Sequence, residues 1–354
     1  MTLSNASYKE FFTYVVGRPE YHLLNDSDLQ SKFKNSRILI TGAGGTIGSA
    51  LASRLILAKI DNVFLLDHDE SALHKLSLNL SHESASHSEK CFIADIRDRQ
   101  SVKDVIQQVR PTLVVHAAAL KHLVMLERFP REGFLTNLVG TLNVAELCAE
   151  LAVEQFVNIS TDKAANPTSI LGKTKKLAEL ITAEIFTDTG IKHCSVRFGN
   201  VFASRGSVIE TFIYQIKNGI SVTITDLQVA RFFMSNNEAA NLILAAASIQ
   251  ETGTYIQNMG DEVAIKEVVD RIATYFNLSA KMEIIGLKQG EKLHEELFDG
   301  PTSSTKFESI LLSRYRVKNG LVQDVKTNMP LNNAEAREII DRLSANYSKK
   351  TQNY

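Results

Sequence analysis

The stretch Ile38-Leu39-Ile40-Thr41-Gly42-Ala43-Gly44-Gly45-Thr46-Ile47-Gly48 limits the possible folds of this chain more than any other. Ile38 to Ile40 form a continuous apolar run, suited to a strand covered on both faces, and a glycine-rich turn follows at once. A helix then takes over. Ile47, Leu51 and Leu55 recur every four residues, with Ala52 and Ile56 beside them, while Arg54 and Lys59 fall outside that stripe. Gly42, Gly45 and Gly48 let the backbone turn sharply, approach a pyrophosphate and pack helix against strand, and the helix start offers N–H donors to the anion. A glycine pattern alone also marks ordinary turns. Here the flanks on both sides suit a dinucleotide.

The same rhythm continues. Asn62 to Asp67 reads as a second strand, ending in an acid 19 residues after Gly48. An acid there accepts hydrogen bonds from ribose hydroxyls and repels a 2′-phosphate, which points to NAD rather than NADP. His68 beside it weakens that preference, and Asp67 could instead cap the helix beginning near Ser71. Cys91 to Asp98 is a third strand and turn carrying Asp95, with Val102, Val105, Ile106 and Val109 on one stripe of its helix. Thr112 to Ala119 is the fourth strand, and its small Ala117, Ala118 and Ala119 leave room for a flat cofactor. Lys121 and His122 stand at its lip, His122 read as a surface residue. Thr136 to Thr141 starts or crosses a helix running to Leu151. Val157 to Ser160 and His193 to Phe198 complete six strands alternating with helices, which implies an α/β, doubly wound parallel sheet of Rossmann type with ligands beyond the carboxyl ends of its strands.

The fifth strand carries the chemistry. Its apolar run ends in Ser160-Thr161-Asp162-Lys163, followed by a turn anchored on Pro167 and a helix from near Ile170. Asp162 and Lys163 are the candidate acid and base. Leu171 and Lys175 are four apart and share a helix face, which sets Lys175 beside the cleft. A strand end with solvated charges is the alternative.

The chain of 354 residues has room for such a domain, at 36–200, and a smaller C-terminal substrate lobe over 201–354, behind a leader of 35 residues in which Ser4 to Val16 reads as a helix. Lys plus Arg number 39 against 40 Asp plus Glu, a net charge of -1, which removes the electrostatic case for a nucleic-acid or membrane-surface partner. Any anionic ligand must be held locally. Cys91, Cys148 and Cys194 sit apart in apolar contexts without zinc spacing, so reduced thiols, no metal and a cytoplasmic location are expected. No stretch reaches about 18 apolar residues, so no membrane segment is expected. In the lobe, Arg205, Arg231, Lys288 and Lys292 are candidates to clamp a phosphate, two of the four being expected to do so and the others to be solvated charges. Ser344 to Tyr354 reads as a disordered tail.

These segments resemble the extended short-chain dehydrogenase/reductase family, and within it the CapD-like branch of nucleotide-sugar 4,6-dehydratases of polysaccharide synthesis. The likeness rests on Thr41 to Ser49, Ala117 to His122, Ser160 to Pro167, Val196 to Val201, Ser204 to Val208, Arg231 to Met234 and Gly290 to Leu293. It extends the cofactor site to Thr46, Ile47, His68, Ile96, Lys121, Asn137 and Lys175. It implies a UDP-sugar site drawing on Lys121, Asn200, Ser204, Arg205, Ser207, Val208, Thr225, Arg231, Lys288, Glu291 and Lys292. Relatives commonly assemble as homo-oligomers. The family's usual Tyr, four residues before the Lys, is Leu171 here, as is usual in the configuration-retaining UDP-N-acetylglucosamine branch.

That branch implies internal redox: NAD takes hydride from C4, the C5 proton leaves, water departs from C6 and the hydride returns to C6. Lys163 is then the C5 base, with a pKa lowered by burial and by Lys175 or Lys121, Asp162 protonates the departing hydroxyl, the two roles being open to exchange or sharing, and Thr161 hydrogen-bonds O4. A 5-inverting dehydratase and a 4-epimerase are the alternatives within enzymes, and a non-catalytic NAD-binding scaffold is the alternative outside them.

Overall fold

The computed structural model describes residues 5–80, 88–314 and 319–348. The six alternating strands form as Ile38–Thr41 (β1), Val63–Asp67 (β2), Cys91–Ile93 (β3), Leu113–His116 (β4), Gln155–Thr161 (β5) and Lys192–Phe198 (β6). Short strands follow at Asn200–Val201 (β7), Val222–Ile224 (β8), Ala230–Arg231 (β9) and Phe233–Met234 (β10). Then come Gly253–Gln257 (β11), Val263–Ala264 (β12), Met282–Ile284 (β13), Thr302–Ser304 (β14) and Ile310–Ser313 (β15). The main sheet has the order β3, β2, β1, β4, β5, β6, β11, β15, β14, parallel as far as β11 and antiparallel at its last two strands. From β1 the chain winds out to β3 and then returns to β4 on the other side. The crevice between β1 and β4 is therefore the topological switch point, where ligands of such sheets bind.

Helices cover both faces. Thr46–Leu57 (α3) and Glu70–Leu80 (α4), preceded by Asn5–Val16 (α1) and Asp26–Phe33 (α2), are followed by Arg99–Val109 (α5), Leu123–Arg128 (α6) and Pro130–Gly133 (α7). A π-helical turn at Phe134–Gly140 leads into Thr141–Glu150 (α8) and Ile170–Phe186 (α9). The remaining helices are Val208–Lys217 (α10), Asn236–Ile249 (α11), Ile265–Tyr275 (α12), Leu321–Thr327 (α13) and Asn333–Ser348 (α14). Leu51, Ala52 and Leu55 of α3 pack with Leu242 and Ile243 of α11 against one side of the sheet, and α5 and α8 bury Val102, Ile106, Val144 and Leu147 against the other. No helix among the described residues is long and apolar enough to cross a membrane.

A second core lies in the smaller lobe, where Ile209, Phe212, Val222, Val268 and Ile272 gather around Phe202 and Phe233. Two findings concern the chain ends. Residues 5–16 of the expected leader are part of this lobe: Phe11, Phe12 and Val15 are fully buried in it, edge-on to Phe202. The apolar stripe of α1 is short, and nothing in its spacing names the surface it covers. Ser344–Ser348, expected as disordered tail, belong to α14 with Ser344 and Tyr347 buried, because Leu343 and Tyr347 join the stripe that meets α9; residues 349–354, like Ser4, lie outside the described residues. Residues beyond 201 serve both bodies, since β11, β15 and β14 extend the main sheet and α11 covers it.

Candidate active site

The turn after β1 is packed to backbone contact. A Cβ on Gly42, whose φ is +67°, would lie 2.6 Å from the Ala118 backbone, and one on Gly48 would lie 2.3 Å from the Gly42 carbonyl. The loops after β1 and β4 therefore meet with no side chain between them. Gly44, which the sequence reading passed over, belongs to the same cradle: its Cβ would meet Ala72, and its N–H donates to Asp67 Oδ2 at 2.9 Å. Helix α3 starts at Thr46 with Gly45 at its N-cap and no side-chain cap, so its first N–H groups are free of protein acceptors. A dinucleotide pyrophosphate fits this cradle.

Asp67 is buried at the end of β2, where Oδ1 also accepts the Asp69 N–H at 3.0 Å. The N-terminal acceptor of α4 is Asp69, which takes the Ala72 N–H, so Asp67 is not the cap. His68 is exposed, its ring 3.5 Å from Asp67. Asp95 is gripped by the Arg97 guanidinium and N–H, which holds its carboxyl below the usual range, while Ile96 is buried against Gly140. Ala117 to Ala119 are half-buried, and Lys121 is exposed. Asn137, in the π-helical turn, is fully buried and committed: Oδ1 accepts the Leu120 N–H, and Nδ2 donates to the Leu120 carbonyl and Thr174 Oγ1. It holds the 117–121 loop in place and does not itself face the crevice.

At the end of β5, Thr161 Oγ1 donates to Asp162 Oδ1 at 2.8 Å, and Asp162 Oδ1 also accepts the Lys163 backbone N–H. The short turn that follows is pressed against α9, since a Cβ on Gly172 would stand 2.2 Å from the Lys163 carbonyl. Lys163 Nζ is 3.0 Å from Asp162 Oδ1, 3.3 Å from Asn200 Oδ1 and 3.5 Å from Glu295 Oε1. Burial, the largest single influence, pulls its pKa down, but the Asp162 and Glu295 carboxylates outweigh it and leave the amine above its usual value. This corrects the expectation of a depressed pKa: the groups facing Lys163 are carboxylates, not Lys175 or Lys121. A second correction concerns Asp162. Its side chain is wholly buried, and Oδ2 has no hydrogen-bond partner among the described residues. It has no surface with which to protonate a departing hydroxyl directly.

Lys175 is buried on the α9 face expected for it, and burial, opposed by Glu179, lowers it to about 8. Leu171 sits one turn earlier in an apolar cluster with Leu126, Phe134 and Leu138. Behind β5 lies a charge network that the sequence reading missed. Arg197 grips Glu179 through two nitrogens and also meets Asp299, Lys176 pairs with Asp299, and Ser160 donates to Glu179. All are nearly or fully buried, and nothing in their spacing ties Asp299 to α9.

The expected phosphate clamp separates into two kinds of residue. Arg231 is buried, with its guanidinium spent on the carbonyls of Ala230, Leu293 and Lys292 and on Glu291, so it organises the 291–293 segment and has no fork free for phosphate. Lys292 donates to the Ala165 carbonyl, and Glu291 accepts from Thr225. Lys288 and Arg205 are exposed. The Arg205 N–H donates to Thr46 Oγ1 and its guanidinium is 3.9 Å from Asp69, which sets it over the glycine turn rather than beside Lys288. Ser204 is buried, Ser207 occupies the N-cap of α10 with an unpartnered hydroxyl, and Val208 is exposed. Asn200 alone of the expected substrate residues touches Lys163 directly.

Residues 38–314 match the family described as polysaccharide biosynthesis protein. The chain belongs to this family. The chain is 37% identical over 280 residues to the capsular polysaccharide biosynthesis protein CapD of Staphylococcus aureus, covering 77% of this chain and 46% of CapD. It is 34% identical over 272 residues to the UDP-glucose 4-epimerase of Rickettsia canadensis, covering 75% of this chain and 78% of that protein. Among solved structures, Pen from Bacillus thuringiensis matches with a TM-score of 0.69 and 34% identity over 75% of this chain and 83% of its own. The chain thus spans less than half the length of CapD. The likeness to CapD and Pen places it in the CapD-like branch of the extended short-chain dehydrogenases/reductases, on a Rossmann-type fold.

Proposed function

We propose that this chain is a nucleotide-sugar 4,6-dehydratase acting on a UDP-N-acetylhexosamine, UDP-N-acetylglucosamine first, in polysaccharide synthesis. The observation that carries this reading is the partly exposed amine of Lys163 set on a buried carboxylate pair, on a helix–strand frame whose tyrosine position is the apolar Leu171. A 4-epimerase, the activity in the name of the Rickettsia relative, needs one proton carrier at O4 and none at C5 or O6. A dehydratase needs carriers at C5 and O6, and the elaboration around Lys163 suits that demand.

The Gly42–Gly48 cradle, Asp67, the 117–119 loop and Lys175 would hold the dinucleotide. The buried Asp67 carboxylate disfavours a second anion beside it, which supports NAD over NADP. Bound there, the cofactor would supply the hydride acceptor and donor of an internal redox cycle. Thr161 Oγ1 takes the O4 proton as it passes its own to Asp162 Oδ1, to which it donates. Lys163 takes the C5 proton and delivers a proton to O6, so that water leaves on the face where the base stands. Asp162 sets the position and charge of Lys163 from beneath.

The test is incubation with UDP-N-acetylglucosamine and NAD, followed by proton NMR. The expected product is a 4-keto-6-deoxy sugar with C5 configuration kept. A C4 epimer, a C5-inverted ketone or no turnover would each replace the proposal with another reading.

A further inference from the structure

The sequence motif around 290–293 brings with it a residue that nothing above assigns. Glu295 N–H donates to Glu262 Oε1 at 3.1 Å, and the segment before it is pinned by Arg231 on the Lys292 and Leu293 carbonyls. Its side chain is 3% exposed, with Oε1 3.5 Å from Lys163 Nζ and Oε2 buried without a hydrogen-bond partner among the described residues. Asp162 Oδ2 is unpartnered in the same way. We infer that Glu295 shares a proton with Lys163 and serves as the proton store of the site, a role that rests on the dehydration reading above.

The argument is one of charge. Two carboxylates almost shut off from water crowd one ammonium, so the carboxylate with fewer donors is the ready acceptor of its proton. Asp162 Oδ1 already accepts three donors, from Thr161, the Lys163 backbone and the Lys163 amine, so that oxygen is fully committed. Glu295 has no such set. The charged groups facing it are Lys163, Asp162, Arg231 and Lys292, with Glu262 and His294 beside its backbone, and both Arg231 and Lys292 spend donors on carbonyl oxygens. Burial moves the Glu295 carboxyl above its usual value.

The transfer balances. A proton passes from the Lys163 ammonium to the Glu295 carboxylate, leaving amine and carboxylic acid. With C4 oxidised, the amine nitrogen takes the C5 proton as the C5–H pair moves into the enolate. That same proton passes to O6 as the C6–O6 bond breaks and water departs. Lys163 then recovers its first proton from Glu295 and gives it to C5 as hydride arrives at C6, and the O4 proton, passed inward through Thr161 and Asp162, recharges Lys163 for the next turnover.

The test is exchange of the C5 proton of the 4-keto-6-deoxy UDP sugar in deuterated water, followed by proton NMR between about pH 6 and 9 with the NAD-loaded enzyme. An internal store makes wild-type exchange nearly independent of pH. In Glu295→Gln the Lys163 proton must leave to solvent, so exchange should climb about tenfold per pH unit, and Glu295→Asp should restore a flatter profile. A Glu295→Gln enzyme with the flat wild-type profile overturns the proposal. Titration of the Lys163 side chain by carbon NMR, assigned with Lys163→Arg, gives a reading that needs no turnover. Loss of the Glu295 charge should lower the Lys163 titration point by about one pH unit or more, and an unchanged value overturns the pairing. Failure of the wild-type enzyme to exchange C5 would instead sink the dehydration reading, with the titration still deciding for or against Glu295.

Discussion

Lys163 and Lys175 carry the same charge, and their surroundings move them in opposite directions. Lys163 faces two carboxylates and is pushed up, whereas Lys175, with Glu179 as its modest support, is lowered to about 8. Lys175 is cationic below about 8 and neutral above, so dinucleotide binding that depends on its ammonium should weaken as pH rises through that value. Calorimetric titration of NAD from pH 6.5 to 9.5 checks this, and Lys175→Met should flatten the curve. At the adenosine end, Asp67 is buried against Gly44 N–H while the exposed fork of Arg205 lies 3.9 Å from Asp69. Asp67→Ala removes the anion and leaves the cation, so the preference for NAD over NADP should fall about tenfold or more in paired binding measurements. Asp162, Lys163 and Lys175 were legible because they follow a strand in a short, recognisable run. Glu295 was not, since one of two adjacent glutamates in a charged loop carries no spacing that marks it as buried. The Lys163 charge state was misread because its neighbour Asp162, with Glu295 added from a distant segment, outweighs the burial that the sequence suggested would prevail.

At the scale of elements, the fit between the turn after β5 and the start of α9 fixes the reactive groups. The Lys163 carbonyl fills the space a Gly172 side chain would take, with Ser169 capping α9 by accepting the Gly172 N–H. Gly172→Ala therefore forces the turn and the helix apart. The expected results are a loss of about 1–3 kcal/mol in chemical denaturation and a fall in kcat of up to about 100-fold, with NAD affinity kept. The six strands and their helices could be read from periodicity because each buries its apolar residues against an immediate neighbour in the chain. The π-helical turn at Phe134–Gly140 could not, since its extra residue per turn is imposed by the bonds from Asn137 to Leu120 and Thr174. Arg231 was misjudged as a phosphate ligand because a basic residue before two phenylalanines looks the same in sequence whether it faces a ligand or the carbonyls of a folded-back loop.

Across the whole molecule, the buried Lys176–Glu179–Arg197–Asp299 network ties α9, β6 and the returning C-terminal segment together behind the site. Burial raises the Asp299 carboxyl, but Arg197 and Lys176 outweigh it and bring the folded-state value to about 2, below the ordinary 3.8. The sign follows: this carboxylate adds stability above about pH 4, which is lost as pH falls toward 2. His116, held neutral by burial down to about 3, adds a loss that begins as the unfolded chain takes up protons below about 6.5. Acid unfolding followed by circular dichroism should therefore steepen below about pH 4, and Asp299→Asn should be less stable at neutrality yet flatter below that point. Charge networks of this kind escape sequence reading because their members lie on segments far apart in the chain. The arrival of Glu295 from the substrate lobe has a practical consequence for remodelling. Anyone who grafts the sugar-recognising half of one relative onto the nucleotide-binding half of another, hoping to change only which sugar is accepted, would also exchange a working part of the proton machinery, and such hybrids should stand or fall on whether that single carboxyl lands beside its lysine.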